Sequence, residues 1–217
     1  MEFDAETYEN QYVNDMYEKI APQFDQTRFS VWKAVQNFLD DIPNDPEIRI
    51  ADIGCGNGKN MLSRPKNFIG LDNCQAFVDI CTMKGLNVKH GSILDIPFAN
   101  DTFDYTICVA VVHHMTTVER RQKAISELIR ITKPGGKIFI MVWNDKQISI
   151  KQCKQVSEKN QQDQLIRWKG TDEETWRYYH LFAKGELDEL ITSIDITTNI
   201  VKSFEEMGNY VCVFTKL

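Results

Sequence analysis

The chain has 217 residues and a formal net charge of −6, with 31 acidic against 25 basic side chains. This length fits one α/β domain with additions and is enough to bury a core. The acidic total argues against nucleic-acid binding, although a basic patch can lie within an acidic chain. No apolar run approaches a membrane-spanning length, and the acidic start predicts neither a secretory signal nor a transit peptide.

The six cysteines include no Cys-x-x-Cys pair and have no histidine at a metal-ligand spacing. The sequence therefore predicts neither a zinc site nor a disulfide framework. Free thiols suit a reducing compartment. We expect a cytoplasmic protein, with the nucleus as a second compatible location.

Two helices are predicted in the first part of the chain. Apolar side chains recur at helical spacing over residues 8–20, and Pro22 is predicted to end this helix. A second helix continues to Leu39. Arg28 lies between them, and the residues alone leave two interpretations open. In the first, Arg28 is structural, as a solvated charge or stacked on Trp32. In the second, it has a functional role.

Residues 48–59 predict a strand that leads into a ligand-binding loop, in which glycines at alternate positions expose bare backbone. The glycines are Gly54, Gly56 and Gly58. A phosphate loop needs Ser or Thr where Asn60 stands, and a dinucleotide loop needs glycine where Lys59 stands. Asp52, at the strand end, attracts a cation and repels an anion. These residues favour a positively charged ligand without phosphate over a plain glycine-rich turn.

A second acidic residue follows at the expected spacing. Residues 67–72 form a short apolar strand that ends in Asp72, about 20 residues after Asp52. A carboxylate at this position can accept hydrogen bonds from both hydroxyls of a ribose. The alternative is an acid that starts the next helix near Cys74, where the helix dipole favours negative charge.

Residues 103–112 are almost continuously apolar, which is typical of a parallel strand buried on both faces. His113 and His114 follow at its carboxyl end, where open α/β sheets bind ligands, so at least one should border the site. A metal pair is disfavoured because adjacent side chains diverge. The alternative is that one histidine packs and the other caps the next helix. Strand and helix alternate over residues 48–143, which is the doubly wound pattern.

Residues 145–170 lack apolar periodicity and carry six basic against three acidic side chains, a net charge of about +3. The segment is either a solvated insertion or a mobile arm that meets phosphates, and we favour the arm. Residues 175–182 cluster aromatic side chains with an arginine and a histidine, which burial alone would largely explain. Residues 194–201 and 210–214 predict an antiparallel pair at one sheet edge. The basic residues of the arm are Lys146, Lys151, Lys154, Lys159, Arg167 and Lys169.

Five stretches together resemble one family within the class I S-adenosylmethionine methyltransferases. This family is the eukaryotic tRNA wobble-uridine methyltransferase that esterifies 5-carboxymethyluridine, also found fused to AlkB-type dioxygenases. The glycine motif is shared by many methyltransferases, whereas Thr-Arg-Phe, Val-Val-His-His and Arg-Tyr-Tyr-His are more specific. The matching stretches are residues 20–32, 52–59, 110–114, 119–121 and 177–182.

The resemblance implies an α/β fold, doubly wound and Rossmann-like, with a mainly parallel seven-stranded sheet and one antiparallel edge strand. It also implies S-adenosyl-L-methionine as cofactor, tRNA as substrate and a small zinc-binding methyltransferase activator protein as heterodimer partner. We expect no metal site in this chain and no membrane partner. One methyltransferase domain is expected over residues 1–217. Its parts are an N-terminal helical cover (1–45), a cofactor-binding core (46–143), an insertion near the substrate (144–183) and a C-terminal helix with an antiparallel strand pair (184–217).

The implied site residues form two sets. The catalytic set is Arg28, His113, His114, Arg177, Tyr178 and His180. The cofactor-binding set is Tyr17, Asp52, Gly54, Gly56, Gly58, Asp72, Asn73, Ser92, Ile93 and Val109. Ser92 stands where many methyltransferases have an acid for adenine, so the adenine contact stays open.

Either arginine can fork a carboxylate, and which one holds substrate and which holds cofactor is undecided. Two other functions also remain open. One is a small-molecule O-methyltransferase that uses residues 145–170 as a lid. The other is a catalytically silent cofactor-binding subunit of a tRNA-modifying complex.

Overall fold

The computed structural model describes residues 4–149, 152–157, 160–169, 174–194 and 197–217. No helix within these ranges has both the length and the apolar character that crossing a membrane requires. A π-helical turn joins the first two helices, and a 3-10 turn follows the fourth strand. The α-helices are α1 (Ala5–Glu9), α2 (Asp15–Thr27), α3 (Lys33–Asp40), α4 (Gln75–Met83), α5 (Val118–Ile131) and α6 (Glu186–Thr192). The strands are β1 (Ile50–Ile53), β2 (Phe68–Asp72), β3 (Val88–His90), β4 (Phe103–Val109), β5 (Thr132–Trp143), β6 (Cys153–Ser157), β7 (Asn160–Trp168), β8 (Thr175–His180), β9 (Thr198–Glu206) and β10 (Asn209–Lys216).

Seven of these strands form one sheet in the order β3–β2–β1–β4–β5–β10–β9. Strands β1 to β5 run parallel, and β10 runs antiparallel to both β5 and β9. This confirms the predicted doubly wound sheet with one antiparallel strand, which lies one position inside the edge strand β9. The strand order changes direction between β1 and β4, and ligands bind at such points, beyond the carboxyl ends of the strands.

Both faces of the sheet are covered by helices. Ile138 and Ile140 of β5 join one buried cluster with α5 and α6, whereas Phe139 and Met141 join another with α3 and α4. Burying an apolar side chain of this size contributes roughly 1.5–3 kcal/mol. The packed sheet holds the loops at its carboxyl edge in fixed positions.

The prediction that Pro22 ends the first helix is wrong, because α2 continues through Pro22 to Thr27. A proline removes one helical hydrogen bond. The bond lost here is the one that the backbone carbonyl of Glu18 would accept from residue 22. Both Glu18 and Pro22 lie on the exposed side of the helix. Ile20 and Ala21 are fully buried on the other side. This burial outweighs the lost bond, so the helix reaches further than its sequence pattern indicates.

A second, antiparallel sheet has the strand order β6–β7–β8. The prediction that residues 145–170 lack apolar periodicity is therefore wrong for β7. Gln164, Ile166 and Trp168 are buried at alternate positions of β7. The alternation is hard to see in the sequence because a glutamine occupies one inward position. Two basic residues of the predicted arm lie outside the described residues, Lys151 and Lys159.

Candidate active site

A cavity of about 560 Å³ opens at the carboxyl ends of β1, β2 and β4. Its volume lies in the range of small-molecule sites. The glycine loop forms part of the floor, and side chains of α2, β7 and β8 lie across it. Predicted cofactor residues along the wall are Tyr17, Gly54, Gly56, Asp72, Asn73, Ser92, Ile93 and Val109.

The three glycines of the loop have positive φ angles of 74°, 53° and 74°. A Cβ on Gly54 would lie 2.2 Å from Val111, and one on Gly58 would lie 2.4 Å from Leu86. These two glycines are needed for packing, and Gly58 does not line the cavity. Gly56 is different, because the nearest atom to its missing Cβ lies 3.9 Å away. Gly56 therefore leaves bare backbone open to a ligand.

Asp72 lies in the cavity wall with its carboxylate fixed by two backbone donors. The N–H groups of Gly56 and Cys74 donate to it at 2.7 and 3.0 Å. Burial raises the pKa of Asp72 to about 6, although these hydrogen bonds act in the opposite direction. The two interpretations of Asp72 are thus compatible. Its carboxylate fixes the glycine loop and the start of α4, and it also lies in the cavity wall.

Asp52 lies behind the loop and does not line the cavity. Its Oδ2 accepts a hydrogen bond from Asn60 Nδ2 at 3.3 Å, and its Oδ1 has no hydrogen-bond partner among the described residues. Burial raises the pKa of Asp52 to about 7. Asn60 does line the cavity, and its Oδ1 likewise has no partner within the described ranges. Sequence reasoning missed Asn60, which was noticed only as a departure from the phosphate-loop motif.

Two cations stand beside the glycine loop. Lys59 and Arg28 both line the cavity. Burial lowers the pKa of Lys59, and the nearby charge of Arg28 lowers it further. The exposed Arg28 guanidinium lies 5.1 Å from the centre of the Trp168 ring, whereas the stacking left open by the sequence was on Trp32. This side of the cavity favours an anionic group.

His114 takes part in a continuous hydrogen-bond network. Its Nδ1 donates to the carbonyl of Tyr178 at 2.7 Å, so its Nε2 accepts from the Tyr17 hydroxyl at 3.0 Å. The oxygen of Tyr17 in turn accepts from Arg177 Nη1 at 2.9 Å. Burial lowers the pKa of His114 to about 3, which keeps the ring neutral as this network requires.

His113 is also buried in the cavity wall. Its Nδ1 accepts a hydrogen bond from the Trp143 backbone N–H at 3.0 Å, which leaves Nε2–H as the donor. Burial holds the pKa of His113 well below its ordinary value, and the neighbouring His114 and Arg177 act in the same direction. Both histidines are therefore neutral at physiological pH.

Arg177 is only 5% exposed, yet no carboxylate among the described residues pairs with it. Its guanidinium lies 4.9 Å from the ring centre of Trp168, 5.2 Å from Tyr179 and 5.3 Å from Tyr17. Its Nε finds no hydrogen-bond partner in the part of the chain that the structure describes. A buried cation without a counter-charge is costly, so this geometry favours an anionic ligand. Trp168, which contacts both arginines, was missed because its strand was not predicted.

Tyr178 and His180 lie on the opposite face of β8, and the structure does not bring them to the cavity. The Tyr178 hydroxyl donates to Asp163 at 2.7 Å. The two ring nitrogens of His180 face Asp163 at 2.8 Å and Glu186 at 2.6 Å. Burial alone would lower the pKa of His180, but both hydrogen bonds raise it above its ordinary value. Successive strand residues point to opposite faces, so the whole Arg-Tyr-Tyr-His stretch cannot enter one site.

Comparison with known proteins defines the class. The methyltransferase domain family matches residues 51–140, from β1 into β5. A solved complex between the Haloferax volcanii Trm112 methyltransferase activator and a putative methyltransferase has a TM-score of 0.68 at 15% identity, and the match covers 94% of this chain and 97% of that one. That likeness concerns the fold alone. With the glycine loop and its acid, the domain match defines a methyltransferase.

The relatives in sequence narrow the class further. The tRNA (carboxymethyluridine(34)-5-O)-methyltransferase of Schizosaccharomyces pombe is 36% identical over 205 residues, 85% of this chain and 88% of that protein. An Arabidopsis thaliana protein of the same name is 42% identical over 136 residues, but these span only 33% of its length. The chain therefore belongs to the tRNA (carboxymethyluridine(34)-5-O)-methyltransferase family, which confirms the resemblance identified in the sequence.

Proposed function

We propose that this chain methylates the carboxylate of 5-carboxymethyluridine at the wobble position of tRNA, forming the methyl ester. The observation that carries the proposal is Arg177, a buried guanidinium that faces the cavity and has no counter-charge among the described residues. A substrate carboxylate would supply that charge and accept two parallel hydrogen bonds from it. The relatives' names supply the identity of the nucleoside.

The neutral histidines support an acceptor that needs no deprotonation. A carboxylate is already ionised at neutral pH, so the site requires orientation rather than a general base. His114 has both nitrogens engaged, and its pKa of about 3 makes it a poor base. In this proposal His114 and Tyr17 hold Arg177 in place, and His113 offers its Nε2–H as a donor.

The residues around the glycine loop fit S-adenosylmethionine. When bound, this cofactor supplies a methyl group on a sulfonium, which a carboxylate oxygen can accept without a proton transfer. Gly56 would lie against it, Asp72 would accept from its ribose hydroxyls, and Asn60 offers an unpaired oxygen for its ammonium. Arg28, with Lys59 beside it, would hold its carboxylate.

We also propose that a small zinc-binding activator protein binds this chain. Strand β3 is an unpaired edge of the main sheet in the described structure. Met83, at the end of the helix that packs on this strand, is 80% exposed, and Leu62 is 52% exposed. A partner would cover these apolar groups, as the Trm112 protein accompanies a methyltransferase of the same fold.

The proposal keeps the domain organisation expected from the sequence. Residues 46–143 form the cofactor-binding core, residues 1–45 and 144–183 enclose it, and residues 184–217 complete the sheet.

Two arginine substitutions test the assignment of roles. Arg177→Lys keeps the charge but loses the fork, so methyl transfer to tRNA should fall roughly 30- to 1,000-fold, corresponding to about 2–4 kcal/mol. Cofactor affinity, measured by calorimetry, should remain at the parental value. Arg28→Lys should instead weaken cofactor binding together with turnover. If both variants transfer methyl groups to tRNA at the parental rate, the carboxylate clamp is refuted.

A further inference from the structure

The outer face of the β6–β7–β8 sheet carries two cations and an indole. Residues directly opposite each other in an antiparallel pair share a face. Arg167 lies opposite Trp176, and Lys154 lies opposite Leu165 on the same face. The Lys154 ammonium is 3.9 Å from the centre of the Trp176 ring. We call Lys154, Arg167 and Trp176 the outer platform. It lies on the back of β8, opposite the face that carries Arg177.

The outer platform is accessible. The side chain of Lys154 is 58% exposed, and Arg167 and Trp176 are half-buried. One acid among the described residues contacts the platform, because Glu174 accepts from Trp176 Nε1 at 3.3 Å and lies 3.8 Å from Lys154. The Glu174 side chain is 63% exposed, and surface ion pairs of this kind are weak. An incoming anionic group can therefore replace the Glu174 carboxylate at Lys154.

We propose that the outer platform binds single-stranded RNA of the tRNA next to the modified nucleotide, with a base on Trp176 and phosphates at Lys154 and Arg167. This inference rests on the proposed function. Single-stranded RNA is recognised by stacking of unpaired bases on aromatic rings and by cations along the backbone. A base can take the place of the Lys154 ammonium, because stacking of a base on an aromatic ring is the stronger contact of the two.

The charge distribution supports RNA as the occupant. The chain as a whole carries −6, but residues 145–170 carry six basic against three acidic side chains. One of those acids, Asp163, is already engaged with His180 on the inner part of this face. Among the described residues, the exposed part of the face carries two cations and an indole beside the single weakly held acid Glu174. This balance is complementary to a phosphate backbone with unstacked bases. Trp176 also directly precedes Arg177, so RNA on the platform lies against the strand that carries the proposed clamp.

The test compares Lys154→Ala/Arg167→Ala and Trp176→Ala with a matched control, using the chain together with its activator protein. Lys202→Ala is the control, because Lys202 is exposed and lies 4.6 Å from the Phe204 ring on the far edge strand β9. Fluorescence anisotropy with tRNA at several salt concentrations gives Kd and its salt slope. The double variant should lower the salt slope by roughly 1–2. Trp176→Ala should raise Kd roughly 5- to 150-fold. The turnover number at saturating tRNA and the cofactor affinity should not change.

Glu174→Gln gives a readout that misfolding cannot imitate. Removing this acid should tighten tRNA binding several-fold. The platform is overturned if Glu174→Gln does not tighten binding and the double variant behaves like Lys202→Ala. It is also overturned if the variants lose the activator protein while keeping their affinity for tRNA, since the face would then be a protein-docking surface. Absence of ester formation by the parent would refute the proposed function, whereas tRNA affinity alone decides the platform.

Discussion

The hydroxyl of Tyr17 connects three side chains of the candidate site. It accepts from Arg177, donates to His114, and lies 3.4 Å from the Tyr179 hydroxyl. A single phenol therefore holds the proposed clamp and links it to His114, whose tautomer is set by the Tyr178 carbonyl. Helix α2, which carries Tyr17, therefore contributes directly to the candidate site.

Tyr17→Phe should slow ester formation about tenfold or more, because it leaves a guanidinium N–H and an imidazole nitrogen unpaired, at roughly 1–3 kcal/mol for each group. Cofactor affinity should change less than about threefold if Tyr17 acts through Arg177. Steady-state kinetics and calorimetry measure the two effects. Tyr12→Phe, half-buried on the same helical segment, is the control. A large loss of cofactor affinity would instead support the direct cofactor contact predicted from the sequence.

Asp72 joins the glycine loop to the start of α4. Asp72→Ala should weaken S-adenosylmethionine binding roughly 10- to 150-fold, equivalent to about 1.5–3 kcal/mol. The folded pKa is about 6, and the protonated carboxyl accepts fewer hydrogen bonds. Affinity in the parent should therefore fall as pH drops through about 6. Asp79→Ala removes an exposed acid from the same helix as a control. Unchanged calorimetric affinity in Asp72→Ala would contradict the ribose assignment.

At the scale of the element, the two faces of β8 have different roles. One face presents Arg177 and Tyr179 to the cavity, and the other binds Asp163 through Tyr178 and His180. The second face fixes β8 against β7 and α6, since His180 reaches Glu186 as well. The stretch singled out in the sequence thus contains residues that line the site and residues that hold the strand in place.

The raised pKa of His180 gives a signed prediction for stability. The protonated ring contributes fully below its ordinary pKa of about 6.5, and this contribution is lost as pH rises through the higher folded pKa. His180→Gln should lower the free energy of unfolding by about 1–3 kcal/mol at pH 6, and by less at pH 9. Urea unfolding at both pH values measures this, with His90→Gln as an exposed control. Equal losses at the two pH values would show that the ring is not charged in the fold.

At the scale of the whole molecule, the sheet was predictable because parallel strands leave continuous apolar runs and a glycine loop at fixed spacing. The three-stranded sheet was not, since Gln164 faces inward and the four residues before it, 160–163, are all polar. Trp168 and Asp163 owe their positions to that sheet. Their partners lie on another strand or helix, and no local pattern indicates them. Asp52 and Asp72 were both placed at strand ends, but only the structure separates the buried acid from the one in the cavity wall.

The central claim is that the acceptor is a carboxylate on a tRNA nucleoside. The most direct measurement is mass spectrometry of nucleosides digested from tRNA of cells lacking the enzyme, after incubation with the chain, its activator protein and S-adenosylmethionine. We predict that 5-carboxymethyluridine is consumed and a product one CH₂ heavier appears, which mild alkali converts back because esters hydrolyse. The chain without its activator should form much less product. Unchanged 5-carboxymethyluridine, or an alkali-stable methyl group on another nucleoside, would contradict the account.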